Sequence, residues 1–173
     1  MSRVIIVGQG ASGKNYLANK YKERGFKLAI SYTSRPKRSN ETDGIDYFFI
    51  SKEEFIKRIF DNFWYEYTEF EVEVNGIKEV WYYGKSHNEF MNSDIIIMDT
   101  KGIKQLKPED RENSLIIFVN APEHIRRKRL EKRQDADTVE GRLQRDREDF
   151  DDFKDYDVMI KNKFWMNMLY KID

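Results

Sequence analysis

"RVIIVGQGASGKN" (residues 3–15) puts an unbroken apolar, β-branched run directly ahead of a glycine-rich turn that ends in lysine. A run with no polar alternation reads as a strand buried on both faces, the condition of a parallel sheet covered by helices. Gly8, four further residues, Gly13 and Lys14 have the spacing of a phosphate loop, and a helical pattern over residues 13–24 follows at once. Strand, glycine turn and helix in that order are the context in which such a match carries weight. The backbone N–H groups of Gly8, Gly10, Ala11, Ser12 and Gly13 can turn inward around phosphate, the helix N-terminus adds partial positive charge, and Lys14 reaches the outer phosphates. The next position commonly offers a hydroxyl to Mg²⁺, a hard ion that takes oxygen ligands. Here it is Asn15, whose amide oxygen predicts altered or water-mediated metal coordination.

Further apolar runs recur at "FKLAI" (26–30), "DIIIMD" (94–99), "LIIFV" (115–119) and "DVMI" (157–160), with helical patterns over 122–133, 139–153 and 161–172. This order predicts an α/β fold around a five-stranded parallel sheet. Residues 31–92 have another texture: apolar and polar residues alternate in "IDYFFI" (45–50) and in "EFEVEVNGIKEVWYY" (69–83), where Asn75-Gly76 marks a two-residue hairpin. Between them Ser51 and Glu54 have capping-box spacing for a helix over 51–60. A small antiparallel insertion is expected. With 173 residues, 39% of them hydrophobic, and no repeat or linker, one domain is the expectation.

The 31 basic and 31 acidic side chains cancel, so no global field recruits nucleic acid or a membrane, and recognition by charge has to be local. No apolar run approaches a membrane span. The absence of cysteine excludes disulfides, thiolate nucleophiles and thiolate metal sites, and fits a cytoplasmic setting. Small-molecule partners and a monomer or homodimer are expected.

"SYTSRPKRSNETDGIDYFF" (31–49) holds Ser31, Arg35, Arg38 and Tyr47 in a polar, turn-rich segment. Arginine forks and phenolic hydroxyls suit a dianionic phosphate. The segment resembles the guanylate kinase signature, in which Ser-x-x-x-Arg-x-x-Arg and a downstream Asp-Gly-x-Asp-Tyr-x-Phe surround a nucleoside monophosphate. The resemblance runs along nearly the whole chain and implies a three-layer phosphate-loop fold: a core of 1–30, 93–121 and 154–173, a monophosphate-binding subdomain of 31–92, and a helical lid of 122–153. It implies transfer of the γ-phosphate of ATP, with Mg²⁺, to GMP or dGMP.

Residue by residue, "WYEYTEF" (64–70) is similar to the segment whose glutamate reads guanine, which puts that role on Glu66. A carboxylate accepts from both N1–H and the exocyclic amino group of guanine, whereas adenine has no N1–H. "WYYGKS" (81–86) resembles Asn-Tyr-Tyr-Gly-Ser/Thr, giving Tyr83 a place on the acceptor phosphate; Lys85 stands at the base-holding hydroxyl position and Ser86 follows one residue late. More residues separate Glu66 from Tyr82 than the family pattern has, and they include the Asn75-Gly76 turn. Asp99, ending a buried strand, resembles the aspartate of Asp-x-Gln-Gly and is a candidate for the metal or the base; Asn162 is placed near the adenine.

In the arginine-rich stretch 124–150, Arg133 and Arg142 match lid arginines that meet the moving phosphoryl group on closure. Arg129 is a lesser candidate, and the other basic residues, with His87 and His124, read as helix surface. "FWMNMLY" (164–170) reads as a core-packing terminal helix. Two alternatives stay open. One is a kinase of broader deoxynucleoside monophosphate specificity, suggested by Lys85 and the long hairpin. The other is a catalytically inactive module that binds a phosphorylated protein, which only Asn15 favours.

Overall fold

Residues 4–7 pair on both sides, as an apolar run without alternation requires. The structure, a computed structural model, describes residues 3–133 and 137–162. In chain order the elements are β1 (Arg3–Val7), α1 (Lys14–Lys22), β2 (Tyr32–Thr33), β3 (Phe48–Phe49), α2 (Lys52–Phe60), β4 (Trp64–Val74), β5 (Ile77–Ser86), α3 (His87–Met91), β6 (Ile95–Met98), α4 (Thr100–Ile103), α5 (Pro108–Glu112), β7 (Ser114–Asn120), α6 (Glu123–Glu131), α7 (Val139–Phe150) and β8 (Val158–Lys161). The core sheet has the order β6-β1-β7-β8, every pair parallel.

Alternate residues of these strands feed two hydrophobic clusters, one on each face of the sheet. Val4, Ile6, Ile95, Ile117 and Ile160 pack with Leu17, Ala18 and Tyr21 of α1. Ile5, Val7, Ile96, Ile116 and Phe118 pack with Phe90, Ile103, Phe150 and Phe153 on the opposite side. Such a core places the C-terminal ends of the strands, and the loops that leave them, along one crevice.

The expected fifth strand, 26–30, is reduced to a single parallel bridge, Leu28 with Ile95, at the edge beside β6. Backbone bonds join it there only to residues 94 and 95, with Ala29 N–H donating to Ile95 O at 2.9 Å and Ile95 N–H to Lys27 O at 3.0 Å, and carboxylates take further N–H groups. Lys27 N–H donates to Asp94 Oδ2 and Ile30 N–H to Glu89 Oε2, both at 2.8 Å, so the segment is held without regular pairing.

The insertion is a second sheet, β3-β2-β5-β4. It is mixed rather than antiparallel throughout: β2 pairs with β3 in parallel and with β5 antiparallel. β4 and β5 form the expected hairpin, turning through Asn75 and Gly76 at φ 52° and 79°, the left-handed pair a two-residue primed turn demands. Helix α2 starts where its cap predicts, with Ser51 Oγ accepting from Glu54 N–H at 3.1 Å. Phe55 of α2, fully buried, stacks on Trp64 with ring centroids 4.1 Å apart and ties the helix to the sheet.

Three short helices, α3, α4 and α5, were not expected, being only four or five residues long. The strand β8 runs through Lys161, into the range expected to begin the last helix. The other positions expected in that helix, 163–172 with "FWMNMLY", lie outside the described residues. No helix among the described residues is long and apolar enough to cross a membrane.

Candidate active site

The phosphate loop leaves β1 at Val7 and closes into α1 at Gly13. Glycine is required at both ends. A Cβ on Gly8 would lie 2.4 Å from the Val119 carbonyl oxygen of the neighbouring strand. Gly13 has φ 107°, and a Cβ there would lie 2.4 Å from Asn162 Nδ2. Gly13 caps α1 without any side-chain hydrogen bond to the helix, so the first-turn N–H groups point at the crevice with no such acceptor of their own.

Lys14 folds back across the loop, its Nζ donating to the carbonyl oxygens of Gly8 and Gln9. Burial lowers its pKa to about 8. Asn15 is exposed and lines the same cavity. Asn162, expected near the adenine, lies against the loop: its Nδ2 donates to Ser12 O at 2.7 Å, and the residue is buried. It is a prop for the loop.

A cavity of about 590 Å³ opens from the loop across to the insertion. Gly8, Gly10, Ala11, Ser12, Gly13, Lys14 and Asn15 form one wall; Ser31, Arg35, Arg38, Tyr47, Glu66, Tyr83, Lys85 and Asp99 line the other. Arg129, Arg133 and Arg142 reach it from the helices α6 and α7 and the turn between them. Thus residues as far apart in sequence as Gly8 and Phe150 share one space.

The two acceptor-side arginines are organised by a residue that sequence reasoning missed. Glu41 accepts from Arg35 Nη2 at 2.7 Å and from Arg38 Nη1 at 3.0 Å, and its second oxygen accepts from Arg38 N–H at 2.9 Å. Arg35 also lies over the Tyr47 and Phe49 rings, at 5.4 and 5.6 Å from their centroids. Tyr47 and Tyr83 face each other with centroids 6.2 Å apart. Burial raises the Tyr47 pKa, so its hydroxyl stays a neutral donor. Two guanidinium forks and two phenols converging in this way make a receptor for a phosphate dianion.

Deeper in, Glu66 and Lys85 stand opposite each other on β4 and β5, next to a bulge between Trp64 and Glu66. Lys85 Nζ lies 3.4 Å from Glu66 Oε1, with the two side chains 3% and 5% exposed. Burial, with the nearby Asp99 charge adding to it, pushes the Glu66 carboxyl up to about 7 against the pull of Lys85. Asp99 accepts from Thr68 Oγ1 at 2.8 Å and from Gly102 N–H at 2.7 Å, capping α4. Both of its oxygens are therefore engaged within the protein at this end of the cavity. Ser86, expected beside the base, is absent from the cavity wall; its Oγ accepts from Glu89 N–H at 3.1 Å and caps α3.

The arginine-rich helices hold a second surprise. Arg126, expected on the surface, is 2% exposed, because its Nη1 donates to Asp146 Oδ2 at 2.6 Å and its Nε to Ala121 O at 3.2 Å. The same Asp146 carboxylate accepts from Gly10 N–H at 3.1 and 3.0 Å, so an anion from α7 rests on the phosphate loop. Arg129 Nη1 donates to Ala11 O at 2.9 Å. Arg142 and Arg145 both pair with Asp137. The four-residue spacing of Arg142 and Asp146, which puts them on one helix face, was a usable signal; the 20-residue pairing of Arg126 with Asp146 was not.

Among the described residues no group of three His, Cys, Asp or Glu side chains is placed to hold a metal ion. The oxygen donors on the cavity wall, the Asn15 amide foremost, still fit Mg²⁺, which keeps waters and takes its other ligands from substrate phosphates.

A family model described as guanylate kinase matches residues 1–171. A guanylate kinase of Wigglesworthia glossinidia brevipalpis is 35% identical over 156 residues, 85% of this chain and 71% of that protein. One of Fusobacterium nucleatum is 30% identical over 167 residues, 91% of this chain and 86% of that protein. Among solved structures, the crystal structure of guanylate kinase from Anaplasma phagocytophilum shares the fold, with a TM-score of 0.66 at 22% identity over 94% of this chain and 78% of that one.

Proposed function

Because this chain belongs to the guanylate kinase family, we propose how its residues divide the ATP-dependent phosphorylation of GMP among them. The enzyme is a nucleoside monophosphate kinase. The observation that carries the division is the single cavity whose walls bear the phosphate loop on one side and the Arg35–Arg38–Tyr47–Tyr83 receptor with Glu66 on the other.

The loop amides and Lys14 hold the phosphates of ATP; Lys14 exchanges the Gly8 and Gln9 carbonyls for phosphate oxygens when the nucleotide enters. Ser31, Arg35, Arg38, Tyr47 and Tyr83 hold the GMP phosphate so that one of its oxygens faces the γ-phosphoryl group in line. Glu66, ionised, accepts from N1–H and the amino group of guanine. Arg133 and Arg142 stabilise the charge that spreads over the equatorial oxygens during transfer. Asn15 would offer an amide oxygen to Mg²⁺ bound with ATP, which would supply neutralisation of phosphate charge. No general base of raised strength is needed, since the acceptor is already an anion and positioning lowers the barrier. The same pocket takes dGMP.

ADP formation with Mg·ATP against GMP, dGMP, AMP, dTMP and dCMP tests this. Turnover confined to the guanine acceptors, and lost in Lys14→Ala and Arg35→Ala, is expected. Full activity in Arg35→Ala overturns the acceptor assignment, and turnover spread over all the bases overturns the role of Glu66. The reading of the chain as an inactive phosphoprotein-binding module is not favoured, since the lysine of the loop and the lid arginines line the cavity together.

A further inference from the structure

The ammonium of Lys85 has three N–H donors and meets three acceptors: Ser31 Oγ at 2.9 Å, Glu66 Oε1 at 3.4 Å and the carbonyl oxygen of Ile97. Nothing in this arrangement needs a ligand to complete the lysine. Glu66, in contrast, has lone pairs remaining on both oxygens, and its Oε2 lies against Gly102, where a Cβ would come within 2.9 Å. The bulge at Trp64/Glu66 turns the carboxylate onto the same face as Lys85, its cross-strand neighbour. The charged groups around Glu66 are Lys85 on β5 and Asp99 at the end of β6, one of each sign.

We propose that Lys85 is a positioning residue for base selection, which holds Glu66 in register and favours its ionised form. The chemistry follows from the two states of a carboxyl group. Ionised, Glu66 accepts only, and it fits guanine, which presents N1–H and an amino group on one edge. Protonated, it donates from one oxygen and accepts at the other, and it fits adenine, which presents the bare N1 beside its amino group. A buried carboxylate beside Asp99 and without Lys85 loses its counter-charge and goes over to the protonated form. Lys85 thereby does with charge what a hydroxyl at this position does by direct contact. The proposal rests on Glu66 as the base reader.

Wild type, Glu66→Gln, Lys85→Met, Lys85→Gln and Lys85→Arg would be compared on GMP and AMP by kcat/KM, with melting curves for each. The second neutral variant guards against misfolding of the first, because glutamine can keep bonds to Ser31 and Ile97. Loss of Lys85 charge is expected to cut the GMP-to-AMP preference about 100-fold, the size expected when a polar site no longer matches its substrate edge. The loss lies in KM for GMP with kcat changed by less than about threefold, and AMP improves in absolute terms. Lys85→Arg retains the preference. A purely structural role would instead slow both acceptors alike. If Glu66→Gln discriminates as wild type does, the base-reader assignment falls and the proposal with it. If Glu66→Gln loses discrimination while the neutral Lys85 variants keep it, the proposal alone is overturned.

Discussion

Asp146→Ala removes the carboxylate that rests on the phosphate loop, and its cost can be worked from the contacts it makes. Asp146 accepts from Gly10 N–H at 3.1 and 3.0 Å and from Arg126 Nη1 at 2.6 Å, with the side chains of Arg126 and Asp146 2% and 14% exposed. The substitution leaves a buried guanidinium without its counter-charge and a loop N–H without its acceptor. Breaking a buried pair from one side costs about 3–5 kcal/mol, and the partial exposure of Asp146 points to the lower end, about 3 kcal/mol. In a chain of this size 1 kcal/mol moves Tm by about 2–4 °C, so nucleotide-free protein should melt about 6–12 °C lower. Circular dichroism melts of Asp146→Ala and of Asp146→Ala/Arg126→Met would be compared. The double variant removes both charges and should recover about half of the loss, because the penalty lies mostly in the stranded arginine rather than in the bond. A drop under about 2 °C, or a double variant less stable than Asp146→Ala alone, would refute this account of how α7 is joined to the phosphate loop.

Phe55→Ala should destabilise the insertion by about 3–5 kcal/mol, since it empties a fully buried site stacked on Trp64, and chemical denaturation followed by Trp fluorescence measures it. GMP affinity should rise as pH rises through about 7, where the Glu66 carboxyl, raised by burial, gives up its proton and becomes a double acceptor. Calorimetric titrations of wild type and Glu66→Gln at several pH values test this; the GMP phosphate ionises near 6 in both proteins, so the difference between them isolates Glu66. A wild-type profile that parallels Glu66→Gln would remove the carboxylate from base recognition. Asn15→Ser should lower the Mg²⁺ concentration needed for half-maximal rate, because a hydroxyl replaces a longer amide on the metal side; unchanged Mg²⁺ dependence would leave Asn15 without a metal role.

The expectations that held were those written in contiguous residues. An apolar run, a glycine spacing and a helical period are local, and each predicts its element because backbone geometry repeats over a few residues. The hairpin at Asn75-Gly76 is of this kind, since only left-handed residues close a two-residue turn of the right twist. Edge pairing was less legible. Residues 26–30 are as apolar as a strand, yet their pairing stops at a single bridge and the Asp94 and Glu89 side chains take the N–H groups of Lys27 and Ile30, and no periodicity signals a competing acceptor on another element.

What a charged side chain does depends on which opposite charge the fold brings to it. Arg126 looks in sequence like every other arginine of its stretch, and it is buried only because Asp146 reaches it from the next helix. Ser86 could have faced the base, and helix α3 takes its hydroxyl instead. Lys85 stands out in sequence as a misfit at a hydroxyl position; its pairing with Glu66 and its contacts to Ser31 and Ile97 come from three separate segments of the chain. The order of strands and helices and the phosphate loop were therefore written in the sequence, because hydrophobic burial and backbone geometry act over short spans. The partners of the buried charges were set by tertiary packing, because the energy of an ion pair depends on distance and desolvation, and neither exists until the segments meet.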